Sequence, residues 1–216
     1  STIISTQWNG IQMLTAQEAL ERLQQGNERF AHGETNLTKF LTHQQRLEMV
    51  GSQEPFAIIL GCSDSRVPAE MVFDQGFGDL FVIRVAGNIV APSQVGSVEF
   101  AAESFSCPLV VVLGHNHCGA IHSTIEALKN PQTPPSVNLM SIVNRVRPSV
   151  EILMQTELKD DLEKLSMHAV KSNVFASVNQ LRHGSAVLES LIAKGKLEVV
   201  GAEYSLETGE VSFYDF

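Results

Sequence analysis

The chain alternates between short apolar runs and longer stretches in which apolar residues recur at helical spacing. The short runs predict strands, and the amphipathic stretches predict helices between them. Strands are predicted at residues 56–60, 80–85, 109–113 and 197–202, with 80–85 interpreted as a buried strand. Helices are predicted at about residues 15–32, 42–51, 68–73, 93–106, 119–129, 139–153, 157–182 and 185–194. This alternation predicts an α/β fold in which helices cover a mostly parallel central sheet.

The first part of the chain carries two helix-start signals. Thr15 and Glu18 form a capping-box pattern before the first amphipathic stretch, and Thr42 repeats the capping signal before a short second helix. Together these two helices predict an N-terminal helical arm over about residues 1–50.

The last part of the chain predicts a hairpin. Residues 207–210 have the composition of a turn, so residues 211–214 are expected to form an edge strand. Residues 130–138 contain three prolines but are too few to separate two domains. We therefore predict one domain over residues 1–216.

Composition narrows the class of protein and the kinds of partner. The 216 residues are 44% apolar and 18% charged, which is ordinary for a globular protein with one buried core. The formal net charge of −9, without a clustered Lys/Arg face, makes nucleic acid and anionic membranes poor partners. No apolar run approaches the roughly 18 to 20 residues that cross a bilayer. We expect a small substrate and a cytoplasmic location, or export if a targeting segment was removed before Ser1.

Two short motifs carry candidate metal ligands. Cys62 and Asp64 follow the predicted strand 56–60, whereas His115 and Cys118 follow the strand 109–113. Thiolates, an imidazole and a carboxylate are all zinc ligands, and open sheets place their sites just beyond strand ends. The spacing therefore predicts a zinc site made by Cys62, His115 and Cys118.

The fourth ligand position decides what such a site does. Water at that position would make the site catalytic, whereas Asp64 would close it. Two thiolates offset the charge of Zn²⁺ and should lower the pKa of a bound water less than three histidines would. Asp64 is expected to accept the hydrogen bond of a hydroxide, and Arg66 is expected to hold Asp64 in a bidentate pair.

These motifs resemble those of a known family. Cys-Ser-Asp-Ser-Arg at 62–66, followed some fifty residues later by His-x-x-Cys-Gly at 115–119, is similar to the signature of the bacterial-type β-class carbonic anhydrases. The segments 26–30, 84–88 and 201–204 extend the resemblance over nearly the whole chain. It implies one zinc ion per subunit, attack of zinc-bound hydroxide on carbon dioxide to give bicarbonate, and a dyad of Asp64 and Arg66 that gates the metal.

The resemblance also implies a substrate pocket. Gln53, nine residues before the first cysteine, should hydrogen-bond the substrate. Phe81, Ala86 and Phe100 match positions that line the family's narrow apolar slot, and the N–H of Gly119 is expected to contact bicarbonate. Phe100 stands where a tyrosine is common, so one hydroxyl is missing. In the family the neighbouring subunit forms part of each slot, which implies a homodimer, with two dimers possible as a homotetramer.

A regulatory pocket of some family members is only partly matched. Those enzymes bind inhibitory bicarbonate at a Trp, Arg and Tyr triad, and this sequence has Arg84 and Tyr204 but Ile59 in place of the Trp. The departure favours the open-site subtype. We still expect pH control, in which Asp64 leaves Arg66 at acidic pH and ligates zinc.

Other interpretations of the same residues stay open at this stage. Cys62, Asp64, His115 and Cys118 also fit a closed, non-catalytic structural zinc site. A related zinc hydrolase acting on carbonyl sulfide or carbon disulfide would use the same site. A thiol redox enzyme is less favoured because no Cys-x-x-Cys pair is present. His117 is interpreted as a surface residue or a neighbour of the ligands.

Overall fold

The computed structural model describes residues 13–35 and 43–214, whose strands form one five-stranded sheet in the order β2-β1-β3-β4-β5. The first four strands are mutually parallel and the fifth is antiparallel to its neighbour. The strands are β1 Ala57–Gly61, β2 Leu80–Arg84, β3 Leu109–His115, β4 Glu198–Tyr204 and β5 Val211–Phe213. The predicted α/β class with a mostly parallel sheet is confirmed.

Eight α-helices lie within the described residues: α1 Ala16–Ala31, α2 His43–Glu48, α3 Ala69–Val72, α4 Pro92–Ser104, α5 Gly119–Lys129, α6 Val137–Glu151, α7 Leu162–His183 and α8 Ala186–Ala193. Short 3-10 turns occupy Met49–Gly51, Ala86–Asn88, Leu153–Gln155 and Glu157–Asp160. In the described ranges, no helix combines the length and apolarity that crossing a membrane requires.

Helix boundaries differ from the sequence-based ones where a cap overrides the apolar pattern. Ser136 accepts a hydrogen bond from the Leu139 N–H, so α6 begins two residues before the predicted start. The predicted helix 157–182 is split, because Asp161 caps α7 by accepting from the Lys164 N–H. Thr42 lies outside the described residues. The prediction of one domain with an N-terminal arm stays a prediction.

The sheet separates two apolar layers. Side chains alternate along each strand, so Ile58 and Leu60 of β1 face a layer that includes residues of α4, α7 and α8. Ile59 faces the opposite layer, which includes residues of α1 and α3. Every residue of β1 and β3 is buried, which fixes the two central strands and therefore the position of the loops that follow them.

The strand predicted at residues 80–85 is present as β2, but the prediction that it is buried is wrong. In β2 only Ile83 is buried, while Arg84 is exposed. The physical reason is its position: β2 is hydrogen-bonded to β1 alone and forms one edge of the described sheet. At the opposite edge, β5 pairs with β4 alone, as the predicted hairpin requires.

Helix α1 is attached to the sheet through a buried asparagine. The predicted capping box between Thr15 and Glu18 is present at its start. Near its end, the Asn27 amide donates to the carbonyls of Val72 and Gly209 at 3.1 and 2.8 Å and accepts from the Val211 N–H at 2.7 Å. One side chain therefore joins α1 to the last residue of α3 and to the C-terminal hairpin.

Replacement of Asn27 by alanine is expected to lower the free energy of unfolding by about 3 kcal/mol. The substitution leaves two carbonyls and one N–H without their partner, and such groups are costly when buried. Denaturant unfolding measures the change. Gln24→Ala, on the exposed face of the same helix, should change stability by less than about 0.5 kcal/mol; equal stabilities of the two variants would contradict this role of Asn27.

Candidate metal centre

Three buried side chains converge where β1 and β3 end. Cys62 follows β1, His115 is the last residue of β3, and Cys118 is the N-cap of α5. The Cys62 and Cys118 sulfurs and a ring nitrogen of His115 all lie within 4.8 Å of one another. Cys62 is 5% exposed, Cys118 is 4% exposed and His115 is 0% exposed. Because neighbouring parallel strands end at the same edge of a sheet, the predicted ligands are brought together.

The ring of His115 is oriented for ligation. Its Nδ1 lies 2.7 Å from the Asn116 carbonyl oxygen, which can only accept, so Nδ1 carries the proton and donates. Nε2 is then left with a free lone pair. That atom is buried and has no hydrogen-bond partner among the described residues. Histidines that bind a metal through one ring nitrogen commonly donate the N–H of the other nitrogen to a carbonyl, and the metal-binding nitrogen then has no hydrogen-bond partner.

The two cysteine side chains are hydrogen-bonded to each other. A hydrogen bond from Cys118 lowers the pKa of Cys62 to about 4, against the opposing effect of burial, and the N–H of Gly87 adds a contact to Cys62 Sγ at 3.4 Å. The pKa of Cys118 is raised because it is hydrogen-bonded to Cys62 and because it is buried. Both sulfurs can be thiolates only if a cation compensates their charge. Two thiolates and one imidazole form a donor set that suits zinc.

Asp64 lies beside this group and is paired with Arg66. Its Oδ1 accepts from Arg66 Nε at 2.9 Å and from the Arg66 backbone N–H at 3.0 Å, and its Oδ2 accepts from Nη2 at 2.8 Å. These hydrogen bonds hold the pKa of Asp64 well below its usual range. Asp64 Oδ2 is also 3.9 Å from His115 Nε2. An ionised carboxylate thus stands next to the candidate ligands while Arg66 holds it.

Arg84 fixes the loop that carries Cys62 and Asp64. From the end of β2, its Nε donates to the Cys62 carbonyl at 3.1 Å and its Nη2 to the Asp64 carbonyl at 2.6 Å. Tyr204, the other matched residue of the partial triad, is buried and packs near Phe30, with ring centroids 6.4 Å apart. Arg84 therefore holds the backbone of the Cys62–Asp64 loop, a role that the sequence motif did not indicate.

Two of the predicted pocket residues lie next to the ligands in the chain. Ala86 begins the 3-10 turn whose next residue, Gly87, contacts Cys62 Sγ, and Gly119 follows Cys118 as the first residue of α5. Gly87 adopts a φ of 73°, and a Cβ there would lie 2.9 Å from the Ala120 Cβ, so this close approach requires glycine. The Asn173 amide of α7 donates to the Gly87 carbonyl at 2.7 Å and fixes the turn.

The other three predicted pocket residues lie towards the opposite end of the sheet. Gln53 is exposed and precedes β1, whose five residues span roughly 16 Å before Cys62. Phe81 pairs in register with Ile58, near the start of β1. Phe100 of α4 is 53% exposed, and its ring lies 6.1 Å from that of Phe81. Within one chain, these residues do not join the candidate ligands.

Several contacts around the site could not be found by sequence reasoning. The Asn116 carbonyl contacts the His115 ring, and Asn173 holds the turn at Gly87. Glu207 contacts Asn116 and His117 from a distant turn. Only the position of Asn116, directly after a candidate ligand, was a usable signal. His117 has 63% of its side chain exposed, in agreement with its interpretation as a surface residue.

Comparisons with known proteins place these residues in a family. A family model described as carbonic anhydrase matches residues 57–211. Carbonic anhydrase 2 of Mycobacterium tuberculosis is 36% identical over 200 residues, which cover 91% of this chain and 92% of that relative. The carbonic anhydrase of Mycolicibacterium smegmatis is 37% identical over 193 residues, covering 89% and 90%. A solved structure of the β-carbonic anhydrase CcaA gives a TM-score of 0.73 at 26% identity and covers 91% of this chain and 95% of that chain.

Cys62→Ser is expected to reduce bound zinc from about one ion per chain to nearly none, because a serine hydroxyl is a much weaker zinc ligand than a thiolate. Metal analysis after gel filtration measures the content. Cys107→Ser is the matched control, since Cys107 is also buried but lies apart from the ligand group and burial raises its pKa to about 12. Zinc retained by the Cys62 variant would show that the group does not bind the metal.

Proposed function

This chain belongs to the β-class carbonic anhydrase family and is therefore a lyase, and we propose how its residues catalyse the reaction. The proposed reaction is the reversible hydration of carbon dioxide to bicarbonate and a proton, with one zinc ion per chain held by Cys62, His115 and Cys118. Bound there, zinc would supply a Lewis acid and a nucleophile generated from water at near-neutral pH.

The observation that carries the proposal is the ligand set itself. Three ligands converge while Asp64, the available fourth ligand, is bonded through both oxygens to Arg66. Catalytic zinc sites have three protein ligands and one position for water or substrate, whereas structural sites have four protein ligands. The geometry thus favours a catalytic site over the closed structural alternative.

Asp64 is proposed to orient the reacting water by accepting its hydrogen bond. Its lowered pKa keeps it an acceptor at all pH values of interest, and Arg66 limits the directions in which its oxygens point. Asp64 is also close to the candidate ligands, 3.9 Å from His115 Nε2. We propose that at acidic pH it exchanges Arg66 for the metal position, which would make the pair a gate.

The substrate slot is proposed to be shared between two chains. Ala86 and Gly119 lie beside the ligands of their own chain, whereas Gln53, Phe81 and Phe100 lie towards the far end of the sheet. The exposed ring of Phe100 and the incompletely covered edge strand β2 support an apolar contact with another subunit. In a two-fold dimer each chain would complete the slot of its partner, so the dimer would be the active form.

Asp64→Asn is expected to retain zinc but to lower kcat/KM for carbon dioxide hydration about 100-fold, because a neutral amide cannot form the bidentate pair with Arg66 or accept as strongly. Stopped-flow hydration assays on zinc-assayed protein measure the change. Asp160→Asn, which changes an exposed carboxylate in a 3-10 turn, should leave the rate unchanged. Full activity of zinc-loaded Asp64→Asn would refute the gating role.

Mixed dimers test whether the slot is shared. We expect Gln53→Ala to lower hydration about tenfold without loss of zinc, and Cys62→Ser to abolish it. A purified heterodimer of one Gln53→Ala chain and one Cys62→Ser chain should recover about half of wild-type activity, because one of its two sites would be intact. Activity no higher than half that of the Gln53→Ala homodimer would mean that Gln53 acts within its own chain.

A further inference from the structure

The turn between β4 and β5 contacts the loop that carries two of the ligands. Glu207 Oε2 accepts from Asn116 Nδ2 at 2.5 Å, and Glu207 Oε1 is 2.6 Å from His117 Nε2. The donors Asn116 and His117 lower the pKa of Glu207 to about 2, in that order of importance. One exposed carboxylate therefore joins two consecutive residues located between His115 and Cys118.

Asn116 links this contact to the His115 ring. Its carbonyl accepts the Nδ1–H of His115 at 2.7 Å, which determines which ring nitrogen is free. The Asn116 side chain is held from two directions, because its Oδ1 accepts from the Leu206 N–H at 2.9 Å while its Nδ2 donates to Glu207. The orientation of the peptide that follows His115 thus depends on the distant turn.

His117 sits in an unfavourable backbone conformation between the two ligands. Its φ of 52° lies in the left-handed region, which residues other than glycine seldom adopt. Two contacts hold it there: the pair with Glu207, and the hydrogen bond from Arg66 Nη2 to the His117 carbonyl at 3.3 Å. Without them this segment would be free to relax, and the spacing of His115 and Cys118 would change with it.

We propose that Glu207 is a positioning residue that preorganises His115 and Cys118 for metal binding through Asn116 and His117. This inference rests on the proposed metal site, but it concerns a residue that lies outside the matched motifs, 90 positions from His117 in sequence. The hydrogen bonds of the Glu207 side chain go to Asn116, His117 and Ser205, and none goes to a candidate ligand. The effect of Glu207 should therefore appear in metal affinity and ligand geometry, and only through them in catalysis.

The test compares two carboxylates of the same hairpin. Glu207→Ala removes both contacts, whereas Glu207→Gln keeps only one acceptor oxygen for the two partners. Glu210→Ala and Glu210→Gln make the same charge changes at an exposed side chain that has no hydrogen bond to Asn116 or His117. Zinc affinity is measured by competition with a chromophoric chelator. Ligand geometry is read from the thiolate charge-transfer and d–d absorption bands of the Co²⁺-substituted protein.

Glu207→Ala is expected to bind zinc about tenfold more weakly and to show altered cobalt bands, with a smaller effect for Glu207→Gln, while the Glu210 variants match the wild type. The unfolding midpoint of the metal-free protein should be the same for Glu207→Gln and Glu210→Gln, since both side chains are exposed. Zinc affinity and cobalt spectra of Glu207→Ala that equal those of Glu210→Ala would overturn the proposal. The positioning role of Glu207 is decided by zinc affinity and cobalt spectra alone. A lack of hydration activity in the zinc-loaded wild type would instead overturn the proposed function.

Discussion

The parallel pairing of β1 and β3 is the constraint on which the candidate metal centre depends. Because the two strands are neighbours and run in the same direction, the residue after β1 and the last residue of β3 meet at one edge of the sheet. Burial on both faces prevents either strand from slipping without exposing its apolar side chains. The short loop from His115 to Cys118 then brings the third ligand into reach.

Around the ligands, polar contacts determine the protonation states and the orientations of the side chains. The carbonyl of Asn116 leaves His115 Nε2 free, and Arg66 keeps Asp64 ionised. The Cys62 and Cys118 sulfurs can both be thiolates only beside a cation. Several of these contacts come from other elements: Arg84 from β2, Asn173 from α7 and Glu207 from the final hairpin. The carboxyl ends of β1 and β3 and the loops that follow them supply the ligands, and the surrounding elements orient those side chains.

The ligand motifs were predictable because each follows a short apolar run that is typical of a strand. The partial exposure of β2 was not predictable, because an apolar sequence does not reveal whether a strand has one neighbouring strand or two. Similarly, the resemblance implied a slot shared between subunits, but it did not indicate that Gln53, Phe81 and Phe100 are the residues that lie away from the ligands of their own chain. The contact of Glu207 with His117 depends on the register of β4 against β3, in which Tyr204 lies opposite His115, and no local pattern encodes that pairing.

The most direct test of this account is the dependence of carbon dioxide hydration on zinc occupancy in the wild-type chain. Metal-free protein would be loaded stepwise with zinc, and the metal content and the stopped-flow hydration rate would be measured on the same samples. The account predicts a rate that rises in proportion to zinc and reaches its maximum at about one ion per chain, as a single site of three ligands requires. Protein that holds one zinc per chain and does not hydrate carbon dioxide at neutral or alkaline pH would contradict it.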